Sequence, residues 1–309
     1  MKFLKPKFWD KNKISLFSIL LMPISLLVDL TNFFKHFIVP KNISKIPVIC
    51  VGNIYLGGTG KTPFAIELFS ILKNLNKKSV FIRKKYSSFK DEVELLKLVG
   101  PVYENSSRIN AINDAIKNGA EIAILDDGLQ DFSINKNLSI VCFNEKQWIG
   151  NGLIIPAGPL RESLNSLQRA DCVVINGKKN LTIENKILEK NKKVKIFYTK
   201  YKTLNIEEFE NAKVLAFAGI GNPDNFFDLI KYNNIQILEK ISFPDHYNYS
   251  NKELENLINK AREKNATLLT TEKDFLRIDE IYRKDIKFLK IKAEIENKNE
   301  FLNEIKKII

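Results

Sequence analysis

Cysteine, histidine and tryptophan are scarce in this chain, which has three, two and two of them among 309 residues. Cys50, Cys142 and Cys172 each sit inside or beside a short apolar run, the setting of small buried thiols in a reducing compartment. No disulfide framework or cysteine-ligated metal follows from them. With only His36 and His246 present, a histidine-rich metal site is excluded and any imidazole chemistry must use one of those two. Acidic residues are outnumbered, 36 against 49 basic ones, for a net charge of +13. The excess is spread along the chain as lysine, which reads either as a solvated basic surface or as attraction to anionic head groups or a phosphorylated substrate. No basic helix, zinc-ligand set or paired aromatic motif of a nucleic-acid module is present, so nucleic acid is not an expected partner. A long uninterrupted apolar run is missing too. The most apolar stretch, Ile14 to Leu30, is broken by Pro23, Asp29 and three serines, and it is flanked by Lys2, Lys5, Lys7, Lys11 and Lys13 before and Lys35 and Lys41 after. It has no small-residue cleavage site of a signal peptide and is marginal for spanning a bilayer. A helix lying in the membrane interface fits it best, a helix buried against the protein's own core being the alternative.

The remaining composition, 44% hydrophobic and 28% charged, is that of a folded chain with one large or two medium domains. Short apolar runs alternate with helical stretches: Val48 to Val51, Val80 to Ile82, Ile122 to Leu125, Leu138 to Phe143 and Cys172 to Ile175. That alternation predicts βαβ units around a mostly parallel sheet covered by helices. After a polar stretch the series resumes at Val194 to Tyr198, Val214 to Ala218, Leu268 to Thr270 and Phe288 to Ile291, predicting a second, smaller α/β unit. The expected division is a membrane-associating region over 1–40, a nucleotide-binding domain over 41–205 and the smaller domain over 206–309. Ser250 and Glu253 form a capping box before a helix whose Leu254, Leu257, Ile258 and Ala261 share one core face.

The segment from Val48 to Pro63 reads as a strand, a glycine-rich turn and a helix. Glycines let backbone N–H groups curl around an anion, and the helix N-terminus adds its positive dipole end. Gly57, Gly58, Thr59, Gly60, Lys61, Thr62 and Pro63 are therefore the expected nucleotide-binding residues, with Lys61 reaching the β- and γ-phosphates of ATP and Thr62 holding Mg²⁺. The loop is a variant, because Tyr55 stands where the usual pattern has its first glycine. Asp126 and Asp127 follow the apolar run Ile122 to Leu125, and a carboxylate at a strand end beside a phosphate loop is where such an enzyme holds its metal. Phosphoryl transfer to an alcohol also needs a proton acceptor, for which carboxylates or histidine are the candidates. Neither Asp91 nor His246 stands out for that role by sequence alone.

Several segments together resemble the tetraacyldisaccharide 4'-kinase family. They are Val51-Gly-Asn, Gly57 to Pro63, Asp126-Asp-Gly-Leu-Gln130, Leu153 to Glu162, Arg169-Ala-Asp171, Phe217-Ala-Gly-Ile-Gly221, Phe243-Pro-Asp-His246 and Thr271-Glu-Lys-Asp274. The resemblance implies transfer of the ATP γ-phosphate to the 4'-hydroxyl of an acylated glucosamine disaccharide 1-phosphate, at the cytoplasmic face of the bacterial inner membrane, by a peripheral or monotopic protein. It also implies that Asp91 takes the hydroxyl proton, with His246 as its partner and Asp245 holding the imidazole, while domain closure brings the hydroxyl into line. Arg161 and Glu162 are the expected substrate contacts, Arg161 as a phosphate clamp or in a salt bridge with Glu162. The family's Ser-Arg-Gly-Tyr, Gly-Asp-Glu-Pro and Asp-Asp-Gly-x-Gln-His segments stand here as Arg83-Lys-Lys-Tyr86, Lys90-Asp-Glu-Val93 and Asp126-Asp-Gly-Leu-Gln-Asp131. These departures touch the sugar-facing side more than the nucleotide side. Thr271 to Asp274 reads either as a contact to the nucleotide base or as a helix-capping turn. The competing functional readings are a membrane-bound switch ATPase, disfavoured by Leu56 where those loops carry lysine, and a kinase of another amphiphilic sugar.

Overall fold

Five runs of buried, mostly aliphatic residues dictate the centre of the larger sheet, because strands covered on both faces have no solvent side to mark with polar residues. A computed structural model describes residues 5–10, 13–85 and 90–309; Lys2, Lys11 and Tyr86 lie outside the described residues, as does most of the loop before Asp91. The chain divides into two compact units. The larger is made of Pro6–Tyr86, Val99–Lys200 and Ala293–Ile309, the smaller of Met1–Lys5, Ser87–Leu98 and Tyr201–Lys292.

The sheet of the larger unit contains β1 (Val48–Gly52), β2 (Ser79–Lys84), β3 (Val102–Asn105), β4 (Ile122–Asp126), β5 (Leu138–Asn144), β6 (Cys172–Asn176), β7 (Lys195–Thr203) and, from the C-terminal region, β12 (Ile291–Ile295). Their order is β12-β7-β6-β5-β1-β4-β2-β3, and β1 to β7 pair in parallel. The register sets Val51 beside Asp126, so the turn after β1 and the end of β4 share one sheet edge. Ligands of open parallel sheets gather outside the carboxyl ends of such strands. Between these strands run α2 (Lys61–Asn74), α3 (Lys90–Lys97), α4 (Arg108–Lys117) and α5 (Leu181–Lys190), with α1 (Leu16–Ile38) ahead of them all. The three cysteines are buried free thiols, as the apolar runs implied. Burial pushes the Cys50 thiol up to about 11 and that of Cys172 to about 12, which leaves both inert.

The smaller unit is a four-stranded parallel sheet, ordered β11-β10-β8-β9, of β8 (Lys213–Ala218), β9 (Gln236–Ser242), β10 (Thr267–Thr271) and β11 (Lys287–Leu289). Alternation along β8 serves two cores: Val214, Ala216 and Ala218 pack with Phe226, Phe227 and Ile230 of α6 (Pro223–Tyr232), while Leu215 and Phe217 pack with Leu254, Leu257 and Ile258 of α7 (Asn251–Glu263). The capping box of α7 forms as read, Glu253 N donating to Ser250 Oγ at 3.3 Å and Ser250 N to Glu253 Oε2 at 2.8 Å. Two short helices, α8 (Glu272–Phe275) and α9 (Glu280–Arg283), link β10 to β11, and α10 (Lys298–Lys306) ends the chain.

Three sequence expectations are corrected. The smaller unit does not run to the C-terminus. Phe301 of α10 stacks edge-on with Phe64 at 5.6 Å and Phe197 at 5.2 Å, and this aromatic packing makes 293–309 part of the larger unit. Residues 87–98, including Asp91, belong to the smaller unit, not to the nucleotide-binding stretch they interrupt. The run Phe288 to Ile291 is two strands, β11 and β12, that pair in different sheets on either side of Lys290.

Helix α1 is turned inside out relative to a soluble amphipathic helix. Ser18, Ser25 and Asn32, seven residues apart and so on one stripe, face the protein, whereas Phe17, Leu20, Leu27, Phe34 and Ile38 face outward. Ser25 Oγ donates to Ile154 O at 2.8 Å and accepts from Ala157 N at 3.0 Å; Asn32 Nδ2 donates to Arg161 O at 3.0 Å. The helix is thus fastened to the Leu153 to Arg161 segment by polar bonds. Ser25→Ala leaves a buried carbonyl and a buried N–H without that partner, and should lower stability by about 2 kcal/mol. Thermal unfolding in detergent micelles reads this as a midpoint several degrees lower; an unchanged midpoint would mean that water replaces the hydroxyl.

Candidate active site

One cluster, in the larger unit, grows out of the β1–α2 turn. Helix α2 begins at Lys61 behind Gly60, which takes the left-handed conformation at φ 89° and offers no side-chain cap. Its first N–H groups are therefore open to an anion. Gly57, at φ 118°, turns the chain sharply, and Thr59 N donates to its carbonyl at 2.8 Å. Tyr55 needs no left-handed backbone here. Its buried ring joins Ile154 and Leu160, and its hydroxyl donates to Asp10 Oδ1 at 2.8 Å, which explains why the usual first glycine is dispensable. Asn53, fully buried, ties the loop together: Nδ2 donates to Tyr55 O at 2.6 Å and Thr59 Oγ1 at 3.0 Å.

Asp127 faces this loop in a left-handed backbone conformation, φ 59°, a strained choice for a residue other than glycine. Arg108 Nη2 donates to its carbonyl at 2.8 Å, Arg161 Nη1 to its carboxylate at 2.6 Å, and Lys61 Nζ lies 3.5 Å away. Asp126 is more deeply placed, in a buried ion pair with Arg83 at 2.9 Å. Glu162 does not pair with Arg161; it accepts from Arg169 and, at 2.9 Å, from Gln130 Nε2. Arg161 is directed instead at Asn53 Oδ1 and Asp127 beside the β1–α2 loop. The two departures visible here each make an ion pair, Arg83 with Asp126 and Asp131 with Arg108. Among the described residues no three His, Cys, Asp or Glu side chains form a protein-only metal cage. Two carboxylates and a hydroxyl, those of Asp126, Asp127 and Thr62, suit Mg²⁺, which prefers hard oxygens and takes the rest of its shell from water and substrate phosphates.

A separate cluster lies within the smaller unit. His246, left-handed at φ 56°, is held by its N–H donating to Gly219 O at 3.0 Å. Its Nδ1 sits 3.1 and 3.2 Å from the two oxygens of Asp91 on α3. Asp245, expected to hold the imidazole, lies 3.8 Å from Nε2 and accepts from the backbone N–H of His246 at 3.0 Å. Lys273 and Arg277 complete the cluster. Lys273 Nζ lies 2.9 Å from Glu92, 3.7 Å from Asp91 and 3.4 Å from His246 Nε2; Arg277 Nε lies 3.4 Å from Asp91. Behind them Asp274, fully buried, accepts from Gly219 N at 3.1 Å, Tyr249 OH at 2.8 Å and Arg277 Nη2 at 2.6 Å. Burial alone would push the Asp91 carboxyl up, but the His246 hydrogen bond and the Lys273 and Arg277 charges outweigh it and hold Asp91 below the usual carboxylate range.

The structure brings together the predicted Asp91 and His246, and separately Lys61, Asp127 and Arg161. Reading the sequence missed Arg108 and Arg277, and left Asn53, Arg83, Gln130 and Lys273, which lie in the quoted segments, without a role. The signal for Lys273 was the Thr271 to Asp274 motif itself: Thr271 caps α8, accepting from Asp274 N at 3.0 Å, and thereby aims Lys273 at Asp91 and His246.

Residues 17–309 match the model of the tetraacyldisaccharide-1-phosphate 4'-kinase family. The tetraacyldisaccharide 4'-kinase of Pelagibacter ubique is 43% identical, covering 100% of this chain and 99% of that one. That of Rickettsia bellii is 35% identical over 90% of each chain. The crystal structure of LpxK from Aquifex aeolicus in complex with ATP superposes with a TM-score of 0.73 at 25% identity, covering 94% of this chain and 99% of that one.

Because Asp91 titrates lower in the folded chain than in the unfolded one, its carboxylate contributes stability that is full well above about pH 4 and disappears as the pH falls further. Asp91→Asn should therefore be less stable than wild type at neutral pH, the gap narrowing from about pH 5 to pH 3. Denaturant unfolding at each pH checks this; a constant gap would mean that the neighbouring cations do not stabilise the charge.

Proposed function

The chain belongs to the tetraacyldisaccharide-1-phosphate 4'-kinase family, and from that membership we infer that it is an ATP-dependent kinase phosphorylating the 4'-hydroxyl of a tetraacyldisaccharide 1-phosphate, a lipid A precursor. The division of labour within it is our proposal, and the observation that carries it is the contact of Asp91 with His246 Nδ1, a carboxylate–imidazole pair in a unit that has no phosphate loop.

In this reading the N–H groups of Gly57 to Thr62 and the Lys61 ammonium hold the β- and γ-phosphates, with Pro63 starting the helix behind them, and Arg161 neutralises charge on the transferring group. Thr62, Asp126 and Asp127 would hold Mg²⁺, which would supply charge neutralisation for the transferring phosphoryl group. Asp91 accepts the proton of the 4'-hydroxyl as its oxygen bonds to the γ-phosphorus and ADP leaves; His246 orients the carboxylate. An acceptor with depressed basicity suits this chemistry. In a loose phosphoryl-transfer transition state the nucleophile keeps most of its proton until late, so placement and charge matter more than base strength. Glu162, through Gln130 and Arg169, keeps the segment carrying Arg161 in place on the substrate side. The 1-phosphate and the acyl chains of the acceptor explain why a basic chain with an outward apolar helix would be useful.

The same reading extends to location. Helix α1 has 23 residues, about 35 Å of helix, enough by length and composition to reach across a bilayer core of about 30 Å. Its polar bonds to the Leu153 to Arg161 segment support a monotopic or peripheral attachment to the inner membrane, with the ATP site on the cytoplasmic side.

Transfer of labelled γ-phosphate to tetraacyldisaccharide 1-phosphate in mixed micelles tests the roles. Lys61→Ala should weaken ATP binding at least tenfold, whereas Asp91→Ala should cut turnover by about 10² to 10⁴ with ATP affinity kept. Equal loss of ATP affinity in both would overturn the division. Removal of residues 1–40 should abolish sedimentation with phosphatidylglycerol vesicles; undiminished sedimentation would reject the anchor.

A further inference from the structure

Three small polar residues of α1 meet one short stretch of loop in matching order. Ser18 Oγ accepts from Asn151 Nδ2 at 3.2 Å, Ser25 Oγ donates to Ile154 O at 2.8 Å and accepts from Ala157 N at 3.0 Å, and Asn32 Nδ2 donates to Arg161 O at 3.0 Å. Two helical turns, about 10 Å, separate each from the next, so the contacts form one line along the helix. The same loop is also bonded to the residues that lead into the phosphate loop. Leu160 bridges to Tyr55, Leu56 N donates to Pro159 O at 2.8 Å, and Arg161 N donates to Ile54 O at 2.7 Å. Arg161 is where the two sets of contacts meet. Its carbonyl is held by Asn32, its N–H by Ile54, and its Nη1 by Asn53 Oδ1 at 3.0 Å and Asp127 Oδ1 at 2.6 Å. One residue thus links the helix with the outward apolar face to the carboxylate that lies 3.5 Å from Lys61.

We propose that Asn32 is a positioning residue for phosphoryl transfer: by holding the Arg161 carbonyl it fixes the backbone from which the guanidinium reaches the phosphate loop. Helix α1 then helps to set the ATP site as well as to attach the protein to a lipid surface. The proposal rests on the reading of Arg161 given above, as the group that neutralises charge on the transferring phosphoryl. The Asn32–Arg161 bond is partly buried, and a carbonyl that loses its donor there turns to find another. Turning that peptide plane moves the start of a long side chain. A shift of about 1 Å in a charge-stabilising group is costly for a reaction that depends on placement. Attachment alone gives no reason for an amide at this position. The neighbouring Phe33 and Phe34 are exposed with the rest of the outward face, and a leucine at position 32 would make the helix more apolar, not less.

The test is a double-mutant cycle on turnover of the full-length protein, with ATP and tetraacyldisaccharide 1-phosphate both saturating in mixed micelles. Asn32→Leu should lower kcat by about ten- to a hundredfold, with KM for the acceptor and sedimentation with phosphatidylglycerol vesicles as in the wild type. Asn32→Asp, which keeps the shape and removes the donor, should lower kcat likewise, and it keeps the proposal falsifiable if the leucine variant fails to fold. Arg161→Gln should lower kcat by about 10² or more. Adding Asn32→Leu to it should cost no more than about a further twofold, because a residue that acts through Arg161 then has nothing left to position. A general loosening of the structure would instead multiply the two effects. Multiplied effects, an unchanged kcat in both Asn32 variants, or vesicle binding lost together with turnover would each overturn the proposal, the last by making Asn32 part of the anchor. Arg161→Gln separates the two levels of the reading. If it is impaired and the Asn32 variants are not, the role of Asn32 alone fails; if it keeps wild-type turnover, the reading of Arg161 is wrong and the proposal falls with it.

Discussion

The register of β1 against β4 is the constraint on which the phosphate-loop cluster depends. Pairing Val51 with Asp126 brings the glycine turn after one strand to the acidic end of its neighbour, residues 75 positions apart in the chain. A slip of one residue would invert one strand relative to the other and turn the buried Ile124, now beside Ile49, toward the wrong layer. Every strand from β1 to β7 is parallel to its partner, so the helices that connect them cover the sheet and leave its carboxyl edge as the open place for a ligand. Asn53, Gln130 and Arg161 then lock the emerging turns to one another through Asn53 O and Oδ1.

The centre of the fold was legible in the sequence because central parallel strands are continuous apolar runs. The strands that escaped notice are edges. β3, Val102–Asn105, and β9, Gln236–Ser242, each flank a sheet on one side only, and β9 alternates between half-buried and exposed side chains, so neither shows an apolar block. The C-terminal helix was legible as a helix but not as part of the larger unit. Its Phe301 and Ile305 would suit any apolar face, and only the meeting with Phe64 and Phe197 decides which.

The site divides in the same way. Lys61, Thr62 and the paired aspartates follow one another in patterns whose mechanics are local, so sequence suffices for them. The Asp91–His246 contact joins residues 155 positions apart, and without the family resemblance neither would have been singled out. Asp127 and His246 share one further property that no composition reveals: both sit in left-handed backbone conformations, whereas among the described residues four of the other five such non-glycine residues are asparagines, which tolerate it best. Each is over-determined by its surroundings, Asp127 by Arg108, Arg161 and its N–H to Val51 O, His246 by Gly219 and Asp245. Strain held this way concentrates where side-chain direction matters most.

The inverted polarity of α1 carries a consequence for how its sequence is free to drift. Outward positions such as Phe17, Leu20 and Phe34 are constrained only to be oily, so one hydrocarbon side chain can stand in for another there. Ser18, Ser25 and Asn32, which a hydrophobicity plot would count as blemishes, are the positions with a specific shape and partner to satisfy. A substitution on this helix should therefore cost most at its small polar residues and least at its outward apolar ones, the reverse of a soluble helix.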